Sequence, residues 1–334
     1  MGEKNWMKKI IFFTDIQHLS DALKFFPLQG FSGKKVPLKL HMGEKGNPYF
    51  IKPALVKALV DEFKGIDAEP FLFDTTVAYH GSRYTKDKYL KTAQKHGFTT
   101  QNVGCDVIID DTGVSTTVEG RTFEVATHLK NSTHIVALSH VKGHIQSGMG
   151  GAIKNFGMGG VTKETKINIH QGSRPAYQKD ACTYCGVCAE VCPFDAIEVS
   201  QNTWSYKKNK CFGCGVCVDN CSSGALQNRD ADMQFLLACS AKACIQGKTV
   251  LYLNELKRIA KGCDCDPNAG PIICPDIGYL LGDDPVAIDN ASLDCINNVK
   301  KDVFIKVNKI DPFKQIKYGE EIGLGSSSYQ LITL

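Results

Sequence analysis

Fifteen cysteines stand in this chain of 334 residues, and eight of them fall in two blocks, ACTYCGVCAEVCPFDAI from Ala181 and KCFGCGVCVDNCSSGAL from Lys210. Set at an offset of 29 residues, the blocks share all four cysteines, the Gly-Val before the third, and an alanine followed by isoleucine or leucine. They form an internal repeat. Each reads C-x-x-C-x-x-C-x-x-x-C. Three thiolates spaced by two residues wrap a tight loop and converge on three corners of a cube, while the fourth, one helical turn later, points to the other block's cluster. The spacing therefore assigns Cys182, Cys185, Cys188 and Cys221 to one cluster and Cys211, Cys214, Cys217 and Cys192 to a second. Gly186 and Gly215 would relieve crowding at the inorganic sulfides, and Val187 and Val216 would help exclude water. A pair of zinc knuckles is the competing reading. Tetrahedral zinc, however, leaves the regular third cysteine of both blocks unexplained.

Two other stretches carry chemistry. HVKGHIQSGMGGAIKNFGMGG, residues 140–160, is dense in glycine and follows an apolar strand-like run. At a junction of strand, glycine loop and helix, free backbone N–H groups and the helix dipole favour an anion. A phosphate, carboxylate or anionic cofactor would meet Gly148, Gly150 and Gly151, with Asn155 beside them and Lys142 or Lys154 adding positive charge. The pattern is neither a Walker loop nor the dinucleotide fingerprint. Glycines that merely permit tight turns and close packing are the plainer alternative. His140, at the strand end, suits a structural role as well as a chemical one. His144, inside the loop, is the better candidate for proton transfer or metal binding, with Lys154 as its partner.

The second stretch is CDCDPNAG, residues 263–270. Cys263 and Cys265 could bind a metal together with His140, His144 or Cys274, could form a reactive or redox pair, or could be buried structural thiols. Asp266 belongs to the same segment, and Asp276 in CPD is a candidate for the same cleft. Asp284, in DDPVAID, reads as a helix cap ahead of Pro285; Asp284 or Asp289 orienting a site histidine or lysine is the alternative. Cys105, Cys239, Cys244 and Cys295 lie in apolar segments and read as core.

What must position these groups is an alternation of strands and helices. KIIFFTDI, AEPFLFD, CDVIIDD, HIVALSH, TVLYLNEL and VFIKVNKI read as strands. KPALVKALVDEFK, with Ala54, Leu55, Ala58, Leu59 and Phe63 on one face, reads as a helix; so do YTKDKYLKTAQKHG and MQFLLACSAKACIQG. The alternation predicts an α/β fold with a mostly parallel sheet, interrupted by a small α+β ferredoxin-like domain. The expected segments are 7–172 and 231–325 for the α/β domain and 173–230 for the inserted one. Net charge of +4 is too mild to argue for nucleic acid, and no apolar run approaches the ~20 residues of a membrane span. MGEKNWMKKIIFF reads as a first strand, not a signal peptide, because Asp15 cuts the apolar run short. So many thiols without a secretory signal point to a reducing compartment, the cytoplasm.

The stretch 178–229 closely resembles bacterial-type ferredoxins carrying two [4Fe-4S] clusters. One departure is that Cys221 is followed by Ser-Ser-Gly rather than proline. HVKGHIQSGMGGAIKNFGMG and CDCDPNAGPIICPDIGYLLGDDPVAID together resemble the paired signatures of the domain of unknown function numbered 362, a family of uncharacterised iron–sulfur center proteins. That resemblance spans nearly the whole chain and implies no particular reaction. The resulting expectation is an iron–sulfur redox protein. Two [4Fe-4S] clusters exchange electrons with a partner protein and relay them to a site that takes a small anionic substrate or a further metal. The alternative is a non-catalytic carrier or assembly protein, docking an acidic partner through Lys207, Lys208 and Lys210.

Overall fold

The fold is seen in a computed structural model that describes residues 7–334. Its centre is an eight-stranded sheet in the order Tyr329–Thr333, Lys8–Phe13, Gly278–Gly282, Thr249–Leu256, His134–His140, Lys35–Lys39, Glu69–Asp74, Val107–Ile109. The five strands from Thr249–Leu256 to Val107–Ile109 are parallel, and Gly278–Gly282 runs antiparallel to both its neighbours. The expected α/β class with a mostly parallel sheet is what the chain adopts. The central strands are buried on both faces, as HIVALSH shows, because helices cover the sheet on either side.

Chain order sets where a ligand can bind. From Lys35–Lys39 the chain moves outward through Glu69–Asp74 to Val107–Ile109. It then returns to the other side of Lys35–Lys39 as His134–His140 and continues outward to Thr249–Leu256. The direction of winding reverses between Lys35–Lys39 and His134–His140, and the crevice beyond the carboxyl ends of those two strands is the topological switch point. The loops that leave there begin at Leu40 and Val141.

The helix Pro53–Lys64 starts on proline in its first turn and buries Leu55, Val56, Leu59, Val60 and Phe63. Its inward face is turned by about one position from the expected one, with Ala54 exposed, because the larger branched side chains go in. Gly157 lets the helix Ala152–Gly157 approach Met233–Ile245: an added Cβ would lie 2.5 Å from the Leu237 carbonyl oxygen. Ser240 Oγ donates to the Gly157 carbonyl at 2.8 Å.

Two expectations fail here. VFIKVNKI is a helix, Val303–Asn308, bracketed by Asp302 and Lys309 in left-handed conformations. It buries Val303, Phe304 and Asn308 and half-buries Val307 while exposing Ile305, a helical rather than a two-residue period. Its apolar richness mimicked a strand. The second α/β segment also does not end at 325, since Tyr329–Thr333 pairs with Lys8–Phe13 and supplies an edge strand.

Between the helices Lys163–Gly172 and Met233–Ile245 lies a small lobe. Pro175–Tyr177 pairs with Leu226–Asn228 at its base, and Ile197–Ser200 pairs with Thr203–Tyr206. Two one-turn helices, Val187–Glu190 and Val216–Asp219, each begin after a left-handed glycine, Gly186 (φ 81°) and Gly215 (φ 82°). The repeat in sequence is a repeat in backbone. Ile197, Cys217 and Leu226 form its small core, with Tyr177 stacked on Trp204 at 4.5 Å.

Candidate functional site

The cysteines of the lobe are free of disulfides. Cys192 of the first block lines one apolar recess together with Cys211, Cys214 and Cys217 of the second. Burial pushes the Cys217 thiol up to about 12, and nearby Cys214, Cys211 and Cys192 push the same way. Burial likewise raises Cys188, with Cys185 and Cys221 adding to it. Thiolates brought this close repel one another, and a bound positive centre removes the penalty. Backbone N–H groups already point at sulfur: Tyr184 N at Cys182 Sγ, Ala196 N at Cys192 Sγ and Leu226 N at Cys221 Sγ, all 3.4 Å. In the Ser-Ser-Gly that follows Cys221, the Ser223 hydroxyl lies 3.7 Å from Cys221 Sγ, a polar contact that Phe194, at the matching place in the first block, cannot offer Cys192.

The second site sits at the switch point. The strand His134–His140 ends in a hairpin, Lys142–His144 against Gly148–Gly150, and the segment 257–266 straps across it. Gly143 is where the strap crosses: a Cβ there would lie 2.1 Å from the Lys261 carbonyl oxygen. The strap is clasped from the other side by loops leaving Lys35–Lys39 and Glu69–Asp74. Glu44 N donates to the Asp264 carbonyl (2.9 Å), Asn47 Nδ2 to the carbonyls of Cys263 (3.3 Å) and Asp266 (2.7 Å), and Tyr79 Oη to that of Cys265 (2.9 Å). Arg83 Nε holds Glu44 at 3.0 Å inside the clasp.

This closure brings His144, Lys154, Cys263 and Cys265 together. An imidazole nitrogen of His144 and the two sulfurs lie within 4.8 Å of one another, and Lys154 Nζ is 3.7 Å from Cys263 Sγ. Lys142 Nζ is 3.3 Å from Asp264 Oδ2 and donates to the His140 carbonyl at 2.7 Å. The Cys265 thiol beside Cys263 holds the latter well below the ordinary thiol range, helped by Lys154 and Lys142 and opposed by burial. The same hydrogen bond, with burial, pushes Cys265 far up. Of the two sulfurs, Cys263 is thus the more acidic.

His140 is structural. Its Nδ1 meets Asp264 Oδ1 at 2.7 Å and its Nε2 the Lys257 carbonyl at 2.8 Å, so both ring nitrogens are engaged within the fold. Burial would raise Asp264, but His140 and Lys142 hold its carboxyl well below the usual range. Burial lowers His144 well below the ordinary histidine range, and Lys154 adds to this, so the ring is neutral.

Several expected binding residues have other work. The N–H groups of Ala152 and Ile153 are already met by an anion, the carboxylate of Asp289, at 2.7 and 2.9 Å. Gly151 gives that carboxylate room, since a Cβ would lie 2.3 Å from it. Gly148 and Gly150 pair with His144 and Lys142 in the hairpin, and Gly148 (φ 69°) abuts the Ile310 carbonyl. Asn155 clamps strand ends, donating to the carbonyls of Leu138 (2.9 Å) and Lys39 (3.2 Å) and accepting from Lys39 Nζ (2.8 Å). Asp266 is exposed and caps Asn268 N at 2.8 Å; Asp276 is exposed and caps Arg258 N at 2.6 Å. Neither belongs to the group that His144, Cys263 and Cys265 form. Asp284 caps its helix through Val286 N and Ala287 N, as the plainer reading held. The glycine loop thus binds the chain's own Asp289 rather than an external anion.

Sequence reasoning missed the clasp residues Glu44, Asn47, Tyr79 and Arg83. The signal available was HMGEKGN, a glycine-bearing loop directly after the strand-like KVPLKL. We expect Gly143→Ala to lower stability by about 1–3 kcal/mol through overpacking against the strap. Thermal denaturation would show it, and Cys263 should become faster to alkylate as the strap lifts.

An α/β sheet bearing a cysteine-rich lobe and a buried sulfur site defines the kind of protein this is. Residues 36–294 match the family described as Domain of unknown function (DUF362), and the chain belongs to that family. No curated protein matches it in sequence. Among solved structures it is similar to the lactate racemase apoprotein from Thermoanaerobacterium thermosaccharolyticum, at 13% identity and a TM-score of 0.40, over 76% of this chain and 52% of that one. It is also similar to a Thermotoga maritima protein, at 10% identity and a TM-score of 0.43, over 92% of this chain and 58% of the other. The chain thus spans a little over half the length of each. Among the described residues no helix is long and apolar enough to cross a membrane.

Proposed function

We propose that this is an iron–sulfur redox protein whose residues 173–230 form a ferredoxin-like domain for two [4Fe-4S] clusters, passing electrons to the sulfur site of the α/β domain. The donor sets fit: four sulfurs around one recess, the crosswise neighbours of each block, and backbone N–H groups aimed at sulfur. When bound, the clusters supply reversible one-electron storage.

One observation carries the relay. Gln146 Nε2 donates to the carbonyl of Phe212, between Cys211 and Cys214, while Gln146 N donates to His144 Nδ1 at 3.2 Å. His144 in turn stands with Cys263 and Cys265. Two hydrogen bonds and a short piece of chain therefore join the loop of the second block to the sulfur site. His144 and Lys154 are the groups placed to hold or move a proton there. Convergence of the glycine loop and the C-x-C strap on one buried site favours this reading over a carrier or assembly protein with a passive α/β domain. An external carrier protein would exchange electrons at the lobe, where Lys208 and Lys210 are exposed and Lys207 is paired with Glu198.

Anaerobic reductive titration, followed by visible absorption, tests the proposal. Uptake of about two electrons per chain by the clusters is expected. Protein that holds iron but takes up no electrons reversibly would contradict it.

A further inference from the structure

A His–Cys–Cys group within bonding reach of one point invites zinc. Two features of this site oppose a metal. His144 Nδ1 already accepts from Gln146 N at 3.2 Å and Ser147 N at 3.3 Å, so in the neutral ring the proton sits on Nε2. A ligating histidine shows the reverse, with its second nitrogen donating to an oxygen. The place beside Cys263 where a cation would sit is also taken by the ammonium of Lys154, 3.7 Å from the sulfur. An ammonium and the Cys265 N–H beside it are what a thiolate needs.

We propose that Cys263 and Cys265 form a dithiol–disulfide couple that reduces a low-molecular-weight disulfide. The residues lie one apart, Cys265 N donates to Cys263 Sγ at 3.4 Å, and Cys265 is the more exposed of the two, Cys263 being 7% exposed. Cys265 is the entering thiol. Its proton passes to the Cys263 sulfur as its own sulfur attacks one sulfur of R–S–S–R′, and R′S⁻ leaves. Cys263 then gives up that proton and attacks Cys265 Sγ, expelling RSH and closing the Cys263–Cys265 disulfide. One thiolate and one thiol on the protein become one of each in the products, so charge and protons balance. Two electrons and one proton restore the starting pair, the electrons coming singly from a one-electron carrier. The couple rests on the iron–sulfur reading for this last supply alone.

The test uses anaerobically purified full-length protein with iron and acid-labile sulfide measured on the same sample. The protein is equilibrated in dithiothreitol buffers of stepped potential, quenched with N-ethylmaleimide under denaturing conditions and digested. Tandem mass spectrometry of peptide 262–300 locates each alkylation. Cys263 and Cys265 are expected to lose alkylation together in one two-electron step, while Cys274 and Cys295 in that peptide stay alkylated. Reduced Cys263→Ser exposed to glutathione disulfide should keep glutathione on Cys265. Lys154→Ala should slow iodoacetamide attack on Cys263 in the native protein at pH 7 at least tenfold. Iron-replete protein whose two sulfurs stay alkylated at every potential, or one zinc per chain that Cys265→Ser releases, overturns the couple and leaves the cluster reading standing. An intact couple in protein without iron or sulfide overturns the cluster reading instead. Failure of glutathione disulfide to react with the reduced wild type sinks the proposed substrate class.

Discussion

Cys192→Ala should cost the protein about half its iron, and the centre lost should be that of the second block. Cys192 stands in the first block by sequence, yet it shares its recess with Cys211, Cys214 and Cys217. On the other side, Cys221 of the second block is near enough to Cys188 to raise its thiol. Double variants make the test sharp. Cys192→Ala with Cys211→Ala removes two ligands of one centre and should lose no more iron than either single change. Cys192→Ala with Cys182→Ala removes one ligand of each and should lose nearly all of it. Ligation within each block predicts the opposite ordering. Iron and acid-labile sulfide per chain, measured on the four proteins under one anaerobic protocol, decides between them.

Asp289→Ala should destabilise the α/β domain by about 3–5 kcal/mol, the range for leaving buried partners of a charged group unpaired. Asp289 is fully buried and accepts from Ala152 N, Ile153 N and Asn254 Nδ2, the last at 2.9 Å. Among the described residues Asp289 is the carboxylate that meets those amides, and Gly151 leaves a void when it goes. The same residue gives stability a pH dependence. Burial pushes its carboxyl up to about 6, against an ordinary 3.8, although the amides pull the other way. A raised acid binds its proton more tightly folded than unfolded. Its contribution is therefore full below the unfolded value and is lost as pH rises through the folded one. Between pH 5 and pH 7.5 the loss comes to about 1.4 kcal/mol. Asp289→Asn, which cannot ionise, escapes it, so its deficit relative to wild type should shrink by that amount over the interval. Urea unfolding at the two pH values checks this. A deficit that is constant or grows with pH would show that the carboxylate is not penalised by burial.

What could be read from the residues alone was whatever depends on near neighbours in sequence. The cysteine blocks, the helices Pro53–Lys64 and Met233–Ile245 and the apolar central strands declare themselves by spacing of two to four residues. The candidates His144, Lys154, Cys263 and Cys265 were found because their types are rare in such patterns, and the fold does assemble them. What stayed hidden is long-range. Asp289 meets the glycine-loop amides from well over a hundred residues away, so the loop looked open to a foreign anion. The clasp of Glu44 and Asn47 on the strap spans more than two hundred. The helix Val303–Asn308 was misread because one six-residue turn with apolar residues at most positions carries no clear period.

Elemental analysis and electron paramagnetic resonance of anaerobically purified wild-type protein test the central claim most directly. The account predicts about eight irons and eight acid-labile sulfides per chain and, on reduction, the split signal of two neighbouring [4Fe-4S] centres. Zinc bound to the lobe, with neither iron nor sulfide, would contradict it.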